Sequence, residues 1–94
     1  MIESFSKHAL QRASQRNITW DNVNFIMRFG REIHNGGALF VFLGKHDIPY
    51  EYQRDDRFAK LEGSTLLISD DGKCLITTYK NKNGLKQIKK KQKQ

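Results

Sequence analysis

Phe5, Ala9, Leu10 and Ala13 recur at the spacing of one helical face. Ser6 stands where an N-cap would accept from a free first-turn amide, and Asn17 is placed to end that helix. A second stripe of Val23, Ile26, Met27 and Phe29 follows almost at once. Thr19 can cap it, Asp21 lies where the helix dipole favours negative charge, and Gly30 is a natural stop. Ile18 before the cap and Val23 four residues after it fit a hydrophobic staple.

The period then changes from that of a helix to that of strands. Arg31 to Asn35 reads as a short strand, Gly36-Gly37 as a tight turn and Ala38 to Leu43 as a buried strand. Ser64 to Ser69 and Lys73 to Lys80 form a hairpin about Asp70-Asp71-Gly72, and Asn83-Gly84 turns the chain toward a last edge strand at Leu85 to Ile88. Between Gly44 and Gly63 the pattern dissolves around the single proline, Pro49, with a helical turn expected near Asp55 to Leu61. A connection of that length in a small domain is often functional. The order predicts an α+β fold: two N-terminal helices packed on one face of a four-stranded antiparallel sheet, or a five-stranded one if Leu85 to Ile88 joins. Residues 1–80 make a single domain, and 81–94 a basic C-terminal strand or tail.

Composition and charge narrow the function classes. With 94 residues, 37% hydrophobic and 11% aromatic, the chain suits one small core. No apolar run approaches the ~20 residues of a membrane helix. The N-terminus lacks a signal-peptide pattern and Cys74 is the single cysteine, so a cytoplasmic location is expected. The formal charge is +7, yet seven lysines and no acid lie in residues 80–94, leaving residues 1–79 neutral overall. That body is uneven: residues 1–45 carry six basic and three acidic side chains, and residues 46–79 carry four and seven. An anionic partner would meet the N-terminal helices and the tail, where Lys7, Lys80, Lys86, Lys89 and Lys90 are candidate phosphate contacts.

His8, Arg12 and Arg16 stand four residues apart and so share one side of the first helix, bordering its apolar stripe. Metal-free cleavage of an RNA phosphodiester needs a base, an acid, and cations for the phosphorane. His8 fits the base or acid, and Arg12 and Arg16 fit a guanidinium clamp on phosphate. The plainer reading makes His8 a surface histidine and the arginines a solvated helix edge. Alternation along the last strand puts Leu75, Thr77 and Tyr79 on one face and Cys74, Ile76 and Thr78 on the other. If the first set faces the helices, the Thr77 and Tyr79 hydroxyls can orient a phosphate; otherwise both are simply good strand formers. His8, His34, His46 and Cys74 show no zinc-binding spacing, so neither metal nor other cofactor is expected. Tyr50, Tyr52 and Phe58 could stack on bases or pin the long connection to the core.

These residues give the chain a resemblance to a family of small, mostly bacterial proteins, domain of unknown function 4258. The resemblance rests on Lys7-His8-Ala9, Arg12, Arg16 and Ile18, on a second helix ending at Phe29-Gly30, and on Leu66-Leu67-Ile68-Ser69, Asp71-Gly72 and Ile76-Thr77-Thr78-Tyr79. It spans most of residues 6–80, and the chain departs from the compact family pattern in its 44–63 insertion and its lysine tail. That family is similar in turn to the RelE-like ribonuclease toxins. The resemblance implies a metal-independent endoribonuclease acting on RNA, the toxin of a toxin–antitoxin pair held by a small acidic antitoxin. It gathers His8, Arg12, Arg16, Thr77 and Tyr79 around one groove. The alternative is a non-catalytic nucleic-acid-binding or regulatory protein that uses the same basic face.

Overall fold

The computed structural model describes residues 2–80, so Lys86, Lys89, Lys90 and the Leu85 to Ile88 strand lie outside the described residues. In chain order the elements are β1 (Ser4–Phe5), α1 (Lys7–Arg16), α2 (Trp20–Phe29), β2 (Arg31–Asn35), β3 (Ala38–Phe42), a 3-10 turn at Lys45–Asp47, α3 (Tyr50–Gln53), α4 (Asp56–Ala59), β4 (Ser64–Ile68) and β5 (Cys74–Lys80). The fold is α+β, with two N-terminal helices on a five-stranded, mostly antiparallel sheet of order β1-β5-β4-β3-β2. Among the described residues no helix is long and apolar enough to cross a membrane.

The helix ends are set locally. Ser6 Oγ accepts from the Ala9 amide at 3.0 Å, and Asn17 adopts the left-handed conformation (φ 55°) that closes α1. The Ile18 amide then donates back to the Ala13 carbonyl at 2.8 Å, turning Ile18 under the helix end. Thr19 and Asn22 cap α2 reciprocally, the Asn22 amide donating to Thr19 Oγ1 and the Thr19 amide to Asn22 Oδ1. Only Ala9 and Ala13 of the first apolar stripe are buried; Leu10 is 57% exposed, because two small alanines let α1 lie close on β5 and leave no depth for it.

One strand of the described sheet was not expected. Ser4–Phe5 pairs with Cys74 and Leu75, and in parallel. Two residues carry no hydrophobic period, so only the partner strand's free edge creates β1. At the other end of the sheet, β2 and β3 pair from Arg31↔Phe42 to Asn35↔Ala38 around the Gly36-Gly37 turn, whose positive φ angles (62° and 76°) suit glycine.

The register of β4 and β5 decides which side chains meet the helices. Ile68 pairs with Leu75 but Leu67 pairs with Thr77, which leaves Ile76 as an unpaired bulge residue. The bulge resets the alternation. Leu39, Ile68 and Leu75 form one row, and Val41, Leu66 and Thr78 another, on the face that holds Ala9, Val23 and Ile26 in the core. Phe40, Leu67 and Thr77, and Phe42, Thr65 and Tyr79, make the rows of the opposite face. The expectation that Thr77 and Tyr79 share a face with Leu75 is therefore corrected: the face toward the helices belongs to Leu75 and Thr78.

The 44–63 connection is folded. Arg31 Nε bonds Asp47 Oδ1 at 2.9 Å, and Asp47 Oδ2 accepts from the Gly44 amide, tying its start to β2. Phe25 stacks on Phe58 at 4.6 Å between ring centroids and meets Tyr52 edge-on at 5.3 Å, so Tyr52 and Phe58 pin the segment to α2. Each such pair adds about 0.5–1.5 kcal/mol beyond burial. Tyr50 stays 70% exposed. Leu61, at the end of the segment, is buried and delivers the chain to β4.

Candidate nucleic-acid interface

Lys7, His8, Arg12 and Arg16 are all exposed on α1, and none takes part in an ion pair with another described residue. From His8 to Arg16 the row runs about 12 Å along the helix axis, at about 1.5 Å per residue. Its N-terminal end is anchored by Ser6, whose amide donates to the Leu75 carbonyl at 2.9 Å and whose hydroxyl donates to the Ile76 carbonyl at 2.5 Å.

At its C-terminal end the row runs into a cleft of about 170 Å³, lined by Arg16, Ile18, Lys60, Leu61, Ser64, Thr78, Tyr79 and Lys80. The floor is buried: Leu61, Ser64 and Thr78 are each no more than 3% exposed. The rim is cationic and exposed, with Arg16, Lys60 and Lys80 and no carboxylate in the lining. Lys80 Nζ donates to the Lys60 carbonyl at 2.7 Å, which fixes one ammonium against the end of α4. The Thr78 hydroxyl is committed to the Thr65 carbonyl at 3.1 Å, whereas the Ser64 hydroxyl engages no other described residue. A wider hollow of about 310 Å³, lined by Phe42, Gly44, Lys45, Glu62 and Gly63, holds one cation and one carboxylate in its lining and lacks this excess of positive charge.

The expected constellation is thus divided. Arg16, Tyr79 and Lys80 meet at the cleft, while Lys7, His8, Arg12 and Thr77 do not line it. Tyr79 contributes to the wall between Thr78 and Lys80, but alternation stands its phenol on the other face beside Thr65. Burial pushes that phenol above its ordinary value of 10, with the Thr65 hydroxyl pulling the other way. Thr65 Oγ1 itself has no partner in hydrogen-bonding geometry among the described residues, so the pair is a polar contact short of a formed bond. Lys60, Ser64 and Thr78 escape a reading of the sequence alone. Lys60 belongs to a stretch without periodicity, and Thr78 reaches the cleft only because of the bulge.

The cleft and the row share Arg16, and together they offer exposed cations to an extended polyanion. No protein-family model, no curated protein and no solved structure matches the chain.

Proposed function

We propose that this protein is a cytoplasmic RNA-binding domain of RelE-like type, holding the phosphate backbone along α1 and at the cleft. One observation carries the reading: Arg16 is at once the last member of the Lys7–His8–Arg12–Arg16 surface and part of a cationic rim with Lys60 and Lys80. Guanidinium groups without carboxylate partners keep their forks available for phosphate oxygens. Six further lysines follow in residues 81–94, and their charge adds to the attraction for an anionic partner.

Anisotropy titrations of labelled single-stranded RNA at rising salt test the reading. Binding should weaken steeply with salt and fall in Arg12→Gln and Arg16→Gln; no binding at low salt overturns it.

A second reading makes the protein a metal-independent endoribonuclease, the toxin of a toxin–antitoxin pair neutralised by a small acidic protein on the same cations. What favours it is that His8, Arg12 and Arg16 are all exposed and stand four residues apart along α1. In that reading His8, set apart from the cleft, acts on RNA lying along α1, and Arg12 and Arg16 hold the scissile phosphate. Cleavage of RNA in excess chelator, lost in His8→Ala with the fold intact, supports it. Intact RNA leaves the binding domain as the function.

A further inference from the structure

We infer that the cleft at the end of α1 is a seat for the terminal phosphate monoester of an RNA strand, an inference that rests on the RNA-binding reading above. Charge is the first argument. An internal phosphodiester carries one negative charge, whereas a terminal monoester carries about −1.5 to −2 near neutral pH. Three cationic residues, Arg16, Lys60 and Lys80, line this small site without a lining carboxylate, an excess better matched to the dianion.

Shape is the second argument. The cleft has a volume of about 170 Å³, and Leu61, Ser64 and Thr78 in its lining are buried, which makes it a hollow that the end of a strand can enter.

Donors are the third argument. Lys80 gives one ammonium hydrogen to the Lys60 carbonyl, and its other two engage no other described residue. Arg16 pairs with no carboxylate among the described residues, which leaves its fork to a phosphate. Ser64 is 97% buried, lines the recess and has a hydroxyl that engages no other described residue, so it sets a polar group among the lining beneath the cationic rim. Ile18 and Leu61 supply apolar walls that lower the local dielectric and strengthen the field of the cations.

The test compares one ten-nucleotide single-stranded RNA in three forms: 5′-phosphorylated, 3′-phosphorylated, and hydroxyl at both ends. A phosphorylated form should bind about ten- to hundredfold more tightly than the hydroxyl form, the value of one further charge-assisted contact. Which form is preferred identifies the strand end. Lys60→Gln and Lys80→Gln should each erase the difference; Lys60 offers only its backbone carbonyl to Lys80, so its substitution keeps that bond. Equal binding of all three forms overturns the inference and leaves RNA binding standing, as does a preference that survives both substitutions. If no form binds at low salt, the RNA reading fails. Inorganic phosphate then decides the cleft: shifts in the amide resonances of Leu61, Ser64 and Thr78 retain it as a phosphate seat, and unshifted resonances overturn it.

Discussion

The Ser6 hydroxyl and the Ile76 carbonyl meet at 2.5 Å, so a single side chain joins the cap of the first helix to the bulge in the last strand. Ser6 Oγ also accepts from the Ala9 amide at 3.0 Å. Ser6→Ala removes both bonds at once and should cost about 1–2 kcal/mol, the worth of an N-cap plus part of a hydrogen bond. Urea unfolding at neutral pH measures it. A loss below about 0.5 kcal/mol would mean that the bulge holds its place without the helix cap.

That bond also marks where reading the sequence stops being sufficient. The two helices, their caps at Ser6 and Thr19, the Gly36-Gly37 hairpin and the strands at Ser64–Ile68 and Cys74–Lys80 follow from local periodicity and turn chemistry. The bulge does not. Ile76 continues an apparent alternation, and only its pairing against Leu67 and Ile68 shows that the strand contains one residue too many for that pattern. Every face assigned beyond Ile76 inverts as a result, moving Thr77 and Tyr79 off the helix side and Thr78 onto it. β1 was hidden for a related reason, since a two-residue strand has no period and exists through a partner over sixty residues away. Lys60 and Ser64 became site residues through the return path of the 44–63 segment, which depends on Tyr52 and Phe58 reaching Phe25.

Gly30 sits tightly between the end of α2 and β3. A Cβ there would stand 2.6 Å from the Ile26 carbonyl oxygen, 2.7 Å from Val41 Cγ1 and 3.1 Å from the Phe42 carbonyl oxygen. Two of these are backbone atoms that cannot step aside by changing rotamer. Gly30→Ala should therefore destabilise by about 1–3 kcal/mol through overpacking. For a domain of this size that lowers Tm by about 4–8 °C per kcal/mol. Differential scanning calorimetry reads the shift, and an unchanged Tm would show that helix and strand can separate without cost.

Tyr79 gives the protein an alkaline limit. Burial raises its phenol above 10 in the folded state, so the neutral form is favoured by folding. Its contribution to stability is fully present below the unfolded value near 10 and is lost as pH rises through the folded one. Unfolding free energy measured from pH 8 to 11 should fall across that window, and Tyr79→Phe should flatten the fall. Thr65→Val is the companion test. It removes a buried hydroxyl with no hydrogen-bond partner among the described residues, which should raise stability by about 1 kcal/mol, and it deletes the influence that lowers the phenol. Absorbance titration of the phenolate should then place Tyr79 higher still, with the Thr78 bond to the Thr65 backbone carbonyl retained.

The basic excess of the sequence lies in residues 80–94, yet Arg12 and Arg16 belong to a neutral body, so counting charge alone would give them little weight. Their position gives them more. Salt dependence separates the two views, because each phosphate contact to a single strand contributes about 0.7 to the slope of log K against log salt. Arg12→Gln and Arg16→Gln should each lower the slope by about that amount. Lys73 is the control: it lies at the Asp70–Lys73 turn, the far end of the β4–β5 hairpin from Ser64 and Lys80, and does not line the cleft. Lys73→Gln changes net charge equally and should leave the slope unaltered. If all three substitutions act alike, the RNA answers to total charge and the α1 surface is not a site. If Arg12 and Arg16 alone matter, the opening helix directs the polyanion toward the cleft at its end.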